Sequence, residues 1–196
     1  MKKGTIILIG IAVVILVAFL SFKGSYNSMV THQEGVTAAW SQVENVYQRR
    51  ADLIPNLVST VKGYAAHEQQ TLEGVVNARA KATQMTIDPE NLSEESIKKY
   101  QDAQGELGQA LGKLLMITEN YPDLKANQNF LELQAQLEGT ENRITVERQK
   151  FNTSAKEYNT YIRTFPKNLI AGMFGFERKA YFEAQEGAAT APKVEF

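Results

Sequence analysis

The sequence offers few residues with the reactivity that catalysis or metal binding requires. Its 196 residues include no cysteine and only two histidines, His32 and His67. The pair His67-Glu68 opens like the H-E-x-x-H zinc motif, but Thr71 stands where the second histidine is needed. Without cysteine there is also no thiol nucleophile, no disulfide and no cysteine-ligated zinc or iron–sulfur site. We therefore expect no metal ligand, no cofactor and no catalytic residue.

Motifs for nucleotide binding and acyl transfer are absent from the sequence as well. There is no Walker loop, no G-x-G-x-x-G run and no G-x-S-x-G elbow. Gly105, Gly108 and Gly112 recur at helical spacing, which favours a close helix approach or a weak helix over a phosphate cradle. The chain contains 21 Lys and Arg residues and 22 Asp and Glu residues, so it has no excess positive charge with which to bind nucleic acid. The sequence predicts neither an enzyme nor a nucleic-acid-binding protein.

Several charged residues fall at positions that a helical packing pattern assigns to the buried face. Because a buried unpaired charge is strongly destabilising, we expect these residues to pair across helices. Antiparallel packing would bring Arg49-Arg50 near Glu138 or Glu141. A polar pocket for a ligand or for catalysis, and a drift of these positions toward solvent, remain alternatives. The charged positions are Arg50, Glu68, Arg79, Glu141 and Arg148.

The charged residues lie on segments that the sequence predicts to be long helices. From Val36 to Tyr64 the seam positions step alternately by 4 and 3 residues, which is the spacing of helices that pack as coiled coils do. A second seam runs from Phe130 to Phe165 and a shorter one from Ile97 to Thr118. Ser93, followed by two glutamates, is typical of a helix N-cap. The predicted fold class is all-α, with an elongated antiparallel bundle of about four helices.

Proline residues mark the expected ends of these helices. Asp88-Pro89, Tyr121-Pro122 and Phe165-Pro166 separate the helical stretches. Pro55 differs, because the first seam passes through it without losing register. A proline inside a helix costs about 3 kcal/mol and kinks the helix. We therefore expect two helices that meet near Asp52–Pro55, or one bent helix.

The N-terminal residues predict a membrane anchor. Gly4–Phe22 contains 19 residues without a charge, and about 28 Å of helix would match the hydrocarbon core of a bilayer. A cleaved signal peptide is disfavoured, because no A-x-A-like pair precedes Lys23, and a buried core helix is the remaining alternative. The side chains expected in the lipid are Ile6, Ile7, Leu8, Ile9, Ile11, Val13, Val14, Ile15, Leu16, Val17, Phe19 and Leu20.

The chain divides into three parts on this interpretation. Residues 1–23 form an uncleaved single-pass anchor, residues 24–184 form the helical bundle, and residues 185–196 form a flexible tail. The anchor continues directly into the bundle, with a hinge expected at Gly24-Ser25.

Flanking charge predicts the orientation of the anchor. Lys2, Lys3 and the terminal amine precede the apolar run, whereas only Lys23 follows it closely. The positive-inside bias therefore places the N-terminus in the cytoplasm and the bundle outside it, in the periplasmic or extracytoplasmic space. Without these three lysines the body carries 18 basic and 22 acidic residues, and this net charge of −4 disfavours strong adhesion to anionic headgroups.

The segment 165–184 is more apolar than a disordered terminus requires. It could cap the end of the bundle, pack against another subunit or partner, or dip into the membrane surface. Its candidate interaction residues are Phe165, Leu169, Ile170, Met173, Phe174, Phe176, Tyr181 and Phe182.

Nearly the whole chain resembles the LemA family of bacterial membrane proteins. The matching stretches are YNSMV at 26–30, AWSQVENVYQRRADLIPNLVSTVKGYAAHE at 39–68, YPDLKANQNFLELQAQLEGTENRITVERQKFN at 121–152 and YNTYIRTFPKNLIAGMFGFERKAYFEA at 158–184. The resemblance implies an N-terminally anchored helical bundle without established enzymatic activity. It also implies a scaffold role at membranes, because one branch of the family is linked to the formation of magnetosome membranes.

These observations lead to two hypotheses of function. The first is a non-enzymatic structural or interaction protein of the bacterial cytoplasmic membrane and cell envelope. It would be a scaffold that forms homo-oligomers and also contacts lipid and other envelope proteins. The alternative is an adaptor or regulatory subunit for a membrane protease or an envelope signalling system. Scaffolding predicts self-assembly, whereas an adaptor captures one specific partner.

Overall fold

The computed structural model describes residues 3–183, which contain six helices and no β-strand. The helices are α1 (Lys3–Tyr64), α2 (Gln69–Gln84), α3 (Glu94–Thr118), α4 (Pro122–Lys125), α5 (Gln128–Arg163) and α6 (Lys167–Phe174). The all-α prediction is confirmed, with four long helices and two short ones. The predicted flexible tail, 185–196, lies outside the described residues.

Helices α1 and α5 run antiparallel along the bundle. Three contacts along α1 show this, because the residue number of the α5 partner falls as that of α1 rises. The His32 ring contacts the Tyr161 ring at a tilt, Trp40 contacts Phe151 edge-on, and Arg50 is paired with Glu141. The apolar seam predicted on α1 is buried along this contact, with Val36, Trp40, Val43, Ile54, Leu57 and Val61 all fully inaccessible to solvent.

Helices α2 and α3 form an antiparallel pair beside the half of α1 that lies farther from the N-terminus. The buried side chains fall into two clusters, one around Trp40 and Tyr158 and the other around Leu57 and Phe130. Full burial of a large apolar side chain contributes about 1.5–3 kcal/mol, so each cluster is a substantial source of stability. The two clusters meet on α1 at Arg50.

Pro55 lies inside α1 without ending it. A proline has no N–H, so the Ala51 carbonyl loses the donor that a helix normally supplies from four residues ahead. Arg79 on α2 donates its Nε–H to this carbonyl at 2.7 Å. Of the two alternatives expected near Asp52–Pro55, the meeting of two helices is wrong, and a single helix through Pro55 is what the structure has. The chain first turns back at residues 65–68.

The expected hinge at Gly24-Ser25 is also wrong, because α1 passes through both residues as continuous helix. Aromatic packing holds the two sides of this point together. Phe174 contacts Phe22 on one side and Tyr26 on the other, with ring centroids 5.7 and 4.9 Å apart. The apolar run and the bundle thus share one helix, which extends about 60 Å from Gly24 to Tyr64.

The predicted cap of α3 and the predicted end of α5 are confirmed. The Ser93 hydroxyl accepts a hydrogen bond from the Ser96 amide at 3.2 Å, and the acids Glu94 and Glu95 occupy the first turn. Helix α5 ends at Arg163, just before Phe165-Pro166. Pro122 begins the short helix α4, not the last long helix, which starts after an Asn127 cap.

The chain reverses after α6 and runs back along the bundle. Gly175 makes the reversal in a left-handed conformation with φ of 72°, which glycine adopts without a side-chain clash. Residues 176–183, named here the C-terminal strap, then follow α5 without forming a helix.

Candidate functional site

Arg50 is the centre of a buried polar cluster. Its side chain comes from α1 and is almost fully buried, with 4% of its surface exposed. Nη1 donates to Glu141 Oε1 at 2.8 Å, and Nη2 donates to both Gln104 Oε1 at 2.7 Å and the Gln104 carbonyl at 3.0 Å. The guanidinium carbon lies 5.1 Å from the centre of the Tyr47 ring. One arginine thus joins α1, α3 and α5.

Gln104 extends this cluster to a fourth helix. Its amide Nε2 donates to the Ala82 carbonyl at the end of α2, at 3.3 Å. Burial raises the pKa of Tyr47 and of Tyr100, which contact each other edge-on beside the arginine, so both hydroxyls stay protonated well above neutral pH. The two terminal guanidinium nitrogens are occupied by protein acceptors, which makes the cluster a structural joint between helices.

The other three charges expected to pair across helices, Glu68, Arg79 and Arg148, bind neutral groups, and Arg79 has been described above with the Ala51 carbonyl. Glu68 accepts a hydrogen bond from the Tyr121 hydroxyl at 2.9 Å, and this bond raises the pKa of Tyr121. Arg148 donates to the Glu183 carbonyl at 2.9 Å and lies over the Phe182 ring, 4.7 Å from its centre. Glu68 therefore ties the 65–68 turn to the start of α4, and Arg148 ties α5 to the strap.

Two asparagines on α5 hold the strap through its backbone. The Asn159 side chain accepts from the Lys179 amide at 2.9 Å and donates to the Lys179 carbonyl at 2.7 Å. The Asn152 side chain likewise accepts from the Phe182 amide at 2.8 Å and donates to the Phe182 carbonyl at 2.9 Å. Seven helical residues and three extended residues each span about 10 Å, so the spacing of the asparagines matches the spacing of the strap residues.

Lys179 links the strap to the loop between α2 and α3. It is a buried lysine, and its Nζ donates to the Glu90 carbonyl. Burial lowers the pKa of Lys179. The next residue, Ala180, donates its amide to the Leu92 carbonyl at 3.0 Å. The strap therefore closes the bundle, because it joins α5 to a loop that precedes Lys179 by 89 residues in the chain.

Asn152, Asn159 and Lys179 were not predicted from the sequence. The two asparagines directly follow the buried seam residues Phe151 and Tyr158, and they are one heptad, or seven residues, apart. A polar side chain that can both donate and accept, repeated beside a buried seam, was the signal that could have found them.

The apolar candidates of segment 165–184 divide into two groups. Ile170 and Phe182 are buried and Phe176 is half-buried, so these three pack into the core cluster around Trp40, and the Phe182 ring stacks on Trp40 itself. Four others stay exposed and form what we name the terminal apolar face. They are Phe165, Leu169, Met173 and Phe174, with exposures of 81%, 59%, 73% and 50%. Tyr181 is 37% exposed on the strap.

The anchor candidates make no contacts within the bundle. The twelve large apolar side chains from Ile6 to Leu20 are each 50–68% exposed. Among residues 3–183, α1 is the one helix long and apolar enough to cross a membrane. Its exposed apolar run indicates membrane anchoring.

Within residues 3–183, no three His, Asp or Glu side chains lie together in a way that could hold a metal ion. A shallow surface opening beside the strap is lined by Arg148, Asn152, Lys156 and Phe182, among others. Two of these, Arg148 and Asn152, are already bonded to the strap backbone.

Comparison with known proteins identifies the family. A sequence model of the LemA family matches residues 39–196. Magnetosome protein MamQ of Magnetospirillum gryphiswaldense is 29% identical, over 97% of this chain and 77% of that protein. Magnetosome protein MamQ 2 of Paramagnetospirillum magneticum is 28% identical, over 92% and 73% of the two chains. Protein LemA of Metamycoplasma hominis is 26% identical, over 86% and 73%. With four-fifths of its length matched by the family model, this chain belongs to the LemA family.

Proposed function

We propose that this protein is a non-enzymatic scaffold of the bacterial cytoplasmic membrane, which self-assembles through its helical bundle. The observation that carries the proposal is the continuity of α1, in which the exposed apolar run and the bundle are one uninterrupted helix. A helix of this kind tethers the bundle to the bilayer and makes it a rod about 60 Å long.

The internal chemistry of the bundle supports a mechanical role. Its buried polar groups join helices to one another, as Arg50 does with Gln104 and Glu141, and Asn159 does with the strap. Such bonds favour one arrangement of helices over its competitors and leave little freedom for a binding cleft to open. The resulting rigidity suits a spacer or a repeating unit.

The family relatives support a role at membranes. Relatives named as magnetosome proteins match more than nine-tenths of this chain. We propose the cytoplasmic side for the N-terminus and the extracytoplasmic side for the bundle, on the strength of Lys2 and Lys3 ahead of the apolar run. Lipid, further copies of the chain and other envelope proteins are the proposed partners.

The side of the bundle between α1 and α5 is the proposed contact between copies. A shallow groove there is lined by small and polar residues of both helices, including Ala38, Ala39, Ser154 and Val146, and Val146 is 49% exposed. Side-by-side contact through this groove would keep every anchor in the same bilayer, which a rod standing on the membrane requires.

Photo-cross-linking in native membranes tests the proposal. Because the chain has no cysteine, a single Val146→Cys variant can carry a benzophenone maleimide at one defined place. Met116→Cys, which is 72% exposed at the opposite end of the rod from the anchor, is the matched control. We expect a ladder of homo-oligomers from Val146→Cys that is much weaker from Met116→Cys.

The same experiment separates the scaffold from the adaptor. A single adduct with one different protein, without homo-oligomers, would contradict the scaffold and support an adaptor. Monomers alone at native expression from both variants would contradict self-assembly.

A further inference from the structure

We propose that the terminal apolar face, formed by Phe165, Leu169, Met173 and Phe174, is embedded in the surface of the same bilayer that α1 spans. The inference rests on the membrane anchoring in the proposed function, and it adds a second contact between the protein and lipid. The occupant of this face is a lipid surface, and neither a second copy nor another protein is needed to cover it.

The position of α6 carries the inference. Phe174, its last residue, contacts Phe22, which is the last residue of the charge-free run. When α1 spans the membrane, Phe22 marks the level at which α1 leaves the hydrocarbon core. Phe174 therefore lies at that same level, beside the helix that crosses the bilayer.

The two faces of α6 differ as those of an interfacial helix do. Ile170 and Ala171 are buried against the bundle, whereas Leu169 and Met173, one turn apart, are 59% and 73% exposed. A helix at a membrane surface buries its apolar face about 5–10 Å into the boundary between headgroups and acyl chains. In water the same face would leave four large side chains uncovered at one end of an otherwise well-packed bundle.

The residues around α6 also fit a headgroup environment. Tyr26 contacts both Phe174 and Phe176, with ring centroids 4.9 and 5.6 Å apart, so aromatic side chains are concentrated at this level. Aromatic residues, tyrosine among them, are enriched at membrane interfaces. Lys23 is exposed beside this group, and Lys167 Nζ lies 3.7 Å from the centre of the Tyr161 ring. Such lysines can extend toward lipid phosphates.

The consequence is a two-point attachment that fixes the tilt of the rod. A single spanning helix can tilt and rotate, and its tilt is set by neighbouring contacts and interfacial anchors. With α6 in the interface, the bundle cannot lean toward its α6 side without pushing α6 deeper into the bilayer. This would hold the sides of neighbouring rods at a constant height above the membrane.

Spin-label accessibility in the full-length protein tests the inference. The natural absence of cysteine allows single nitroxide labels at Met173→Cys, Met116→Cys and Phe19→Cys, with the protein in vesicles of phosphatidylcholine and phosphatidylglycerol. Met173 and Met116 are a matched pair, because they are 73% and 72% exposed at opposite ends of the bundle. Circular dichroism of each variant checks the fold.

We expect the Met173→Cys label to be accessible to oxygen and shielded from a water-soluble nickel chelate. Its ratio of oxygen accessibility to chelate accessibility should be several-fold higher than that of the Met116→Cys label. The Phe19→Cys label should show the same lipid character more strongly. If Phe19→Cys lies in lipid but Met173→Cys is as aqueous as Met116→Cys, the interfacial proposal is overturned and the anchor stands. If Phe19→Cys is itself aqueous, the anchor fails and the proposal fails with it. Shielding of Met173→Cys from both reagents, with dipolar coupling between labels, would assign the face to a second copy and overturn the proposal.

Discussion

Arg79 donates its Nε–H to the Ala51 carbonyl at 2.7 Å, which is the acceptor that Pro55 leaves without its helical donor. The contact joins α2 to α1 at the point where α1 would otherwise carry an unsatisfied backbone group. A buried acceptor without a partner costs about 1–3 kcal/mol, so a side chain from a neighbouring helix compensates for a local defect. The proline and the arginine therefore act as a pair.

Double-mutant analysis tests the pairing of Arg79 with Pro55. We expect Arg79→Ala to lower the free energy of unfolding by about 2 kcal/mol in the native chain, because the Ala51 carbonyl loses its donor. In a Pro55→Ala background residue 55 regains its N–H, and the same substitution should cost about 1 kcal/mol less. Urea unfolding of the detergent-solubilised chain measures both values. Equal costs in the two backgrounds would contradict the pairing.

The acceptors of Arg50 should differ in their contributions to stability. Glu141 is 49% exposed, so Glu141→Gln should lower the free energy of unfolding by only about 0.5–1 kcal/mol. Gln104 is buried and supplies both an acceptor for Arg50 and a donor for Ala82, so Gln104→Leu should cost about 2–3 kcal/mol.

Urea unfolding of the two Arg50-acceptor variants under identical conditions gives the order of the effects. A larger loss for Glu141→Gln than for Gln104→Leu would show that the exposed carboxylate is the main partner of the arginine.

Asn159 should control the attachment of the strap. In Asn159→Asp the donor to the Lys179 carbonyl is replaced by an oxygen, and two acceptors then face each other. We expect this substitution to lower the free energy of local opening of the strap by about 2 kcal/mol. That change corresponds to roughly 30-fold faster hydrogen exchange at the Lys179 and Phe182 amides, which Asn159 and Asn152 protect.

Asn142→Asp is the control for the strap experiment, because Asn142 lies exposed on the same helix and the charge change is identical. Hydrogen exchange with mass spectrometry reports both variants. Unchanged exchange in Asn159→Asp would show that the strap is held by its apolar contacts alone.

Tyr158 should make the bundle less stable in alkali. Its side chain is buried, its hydroxyl has no hydrogen-bond partner within residues 3–183, and burial raises its pKa to about 12. The unfolded chain releases this proton near pH 10, so stability falls as pH rises from about 10 toward 12.

Tyr158→Phe removes this titration and should retain on the order of 1 kcal/mol more stability at pH 11 than the native chain does. At pH 7 it should be neutral or slightly stabilising, because an unsatisfied hydroxyl is removed. Thermal melting at the two pH values provides the comparison. An alkaline loss identical to that of the native chain would show that Tyr158 does not titrate in this range.

The main helical seams could be predicted from the sequence, because burial of Trp40 or Leu57 depends on spacing that any packed helix must satisfy. Ser93 could also be predicted as a cap, since its bond to Ser96 is local. The fate of Pro55 could not be predicted, because the compensating donor, Arg79, lies 28 residues after the Ala51 carbonyl that it binds, and their proximity depends on the tertiary fold. The sequence rule gives the destabilisation that a proline causes inside a helix, but it does not identify the side chain of a neighbouring helix that compensates for it.

The strap could not be predicted for a similar reason. Asn152 and Asn159 recognise backbone atoms of residues 179 and 182, so no side-chain pattern in the strap reveals the contact. Arg50 shows the intermediate case. Its position on the seam predicted interhelical bonding, whereas the buried acceptors on Gln104 depend on how α3 is placed.

The strap also has a consequence for how the chain is made. Helix α1 is the first element to leave the ribosome, but α5 and the strap that cover it include residues up to 183. At translation speeds of about 5–20 residues per second, the apolar seam of α1 stays uncovered for roughly 5–25 seconds after it emerges. During that interval, chaperones or the insertion machinery must cover the exposed seam of the nascent polypeptide. A chain truncated before the strap would never complete the cover of that seam.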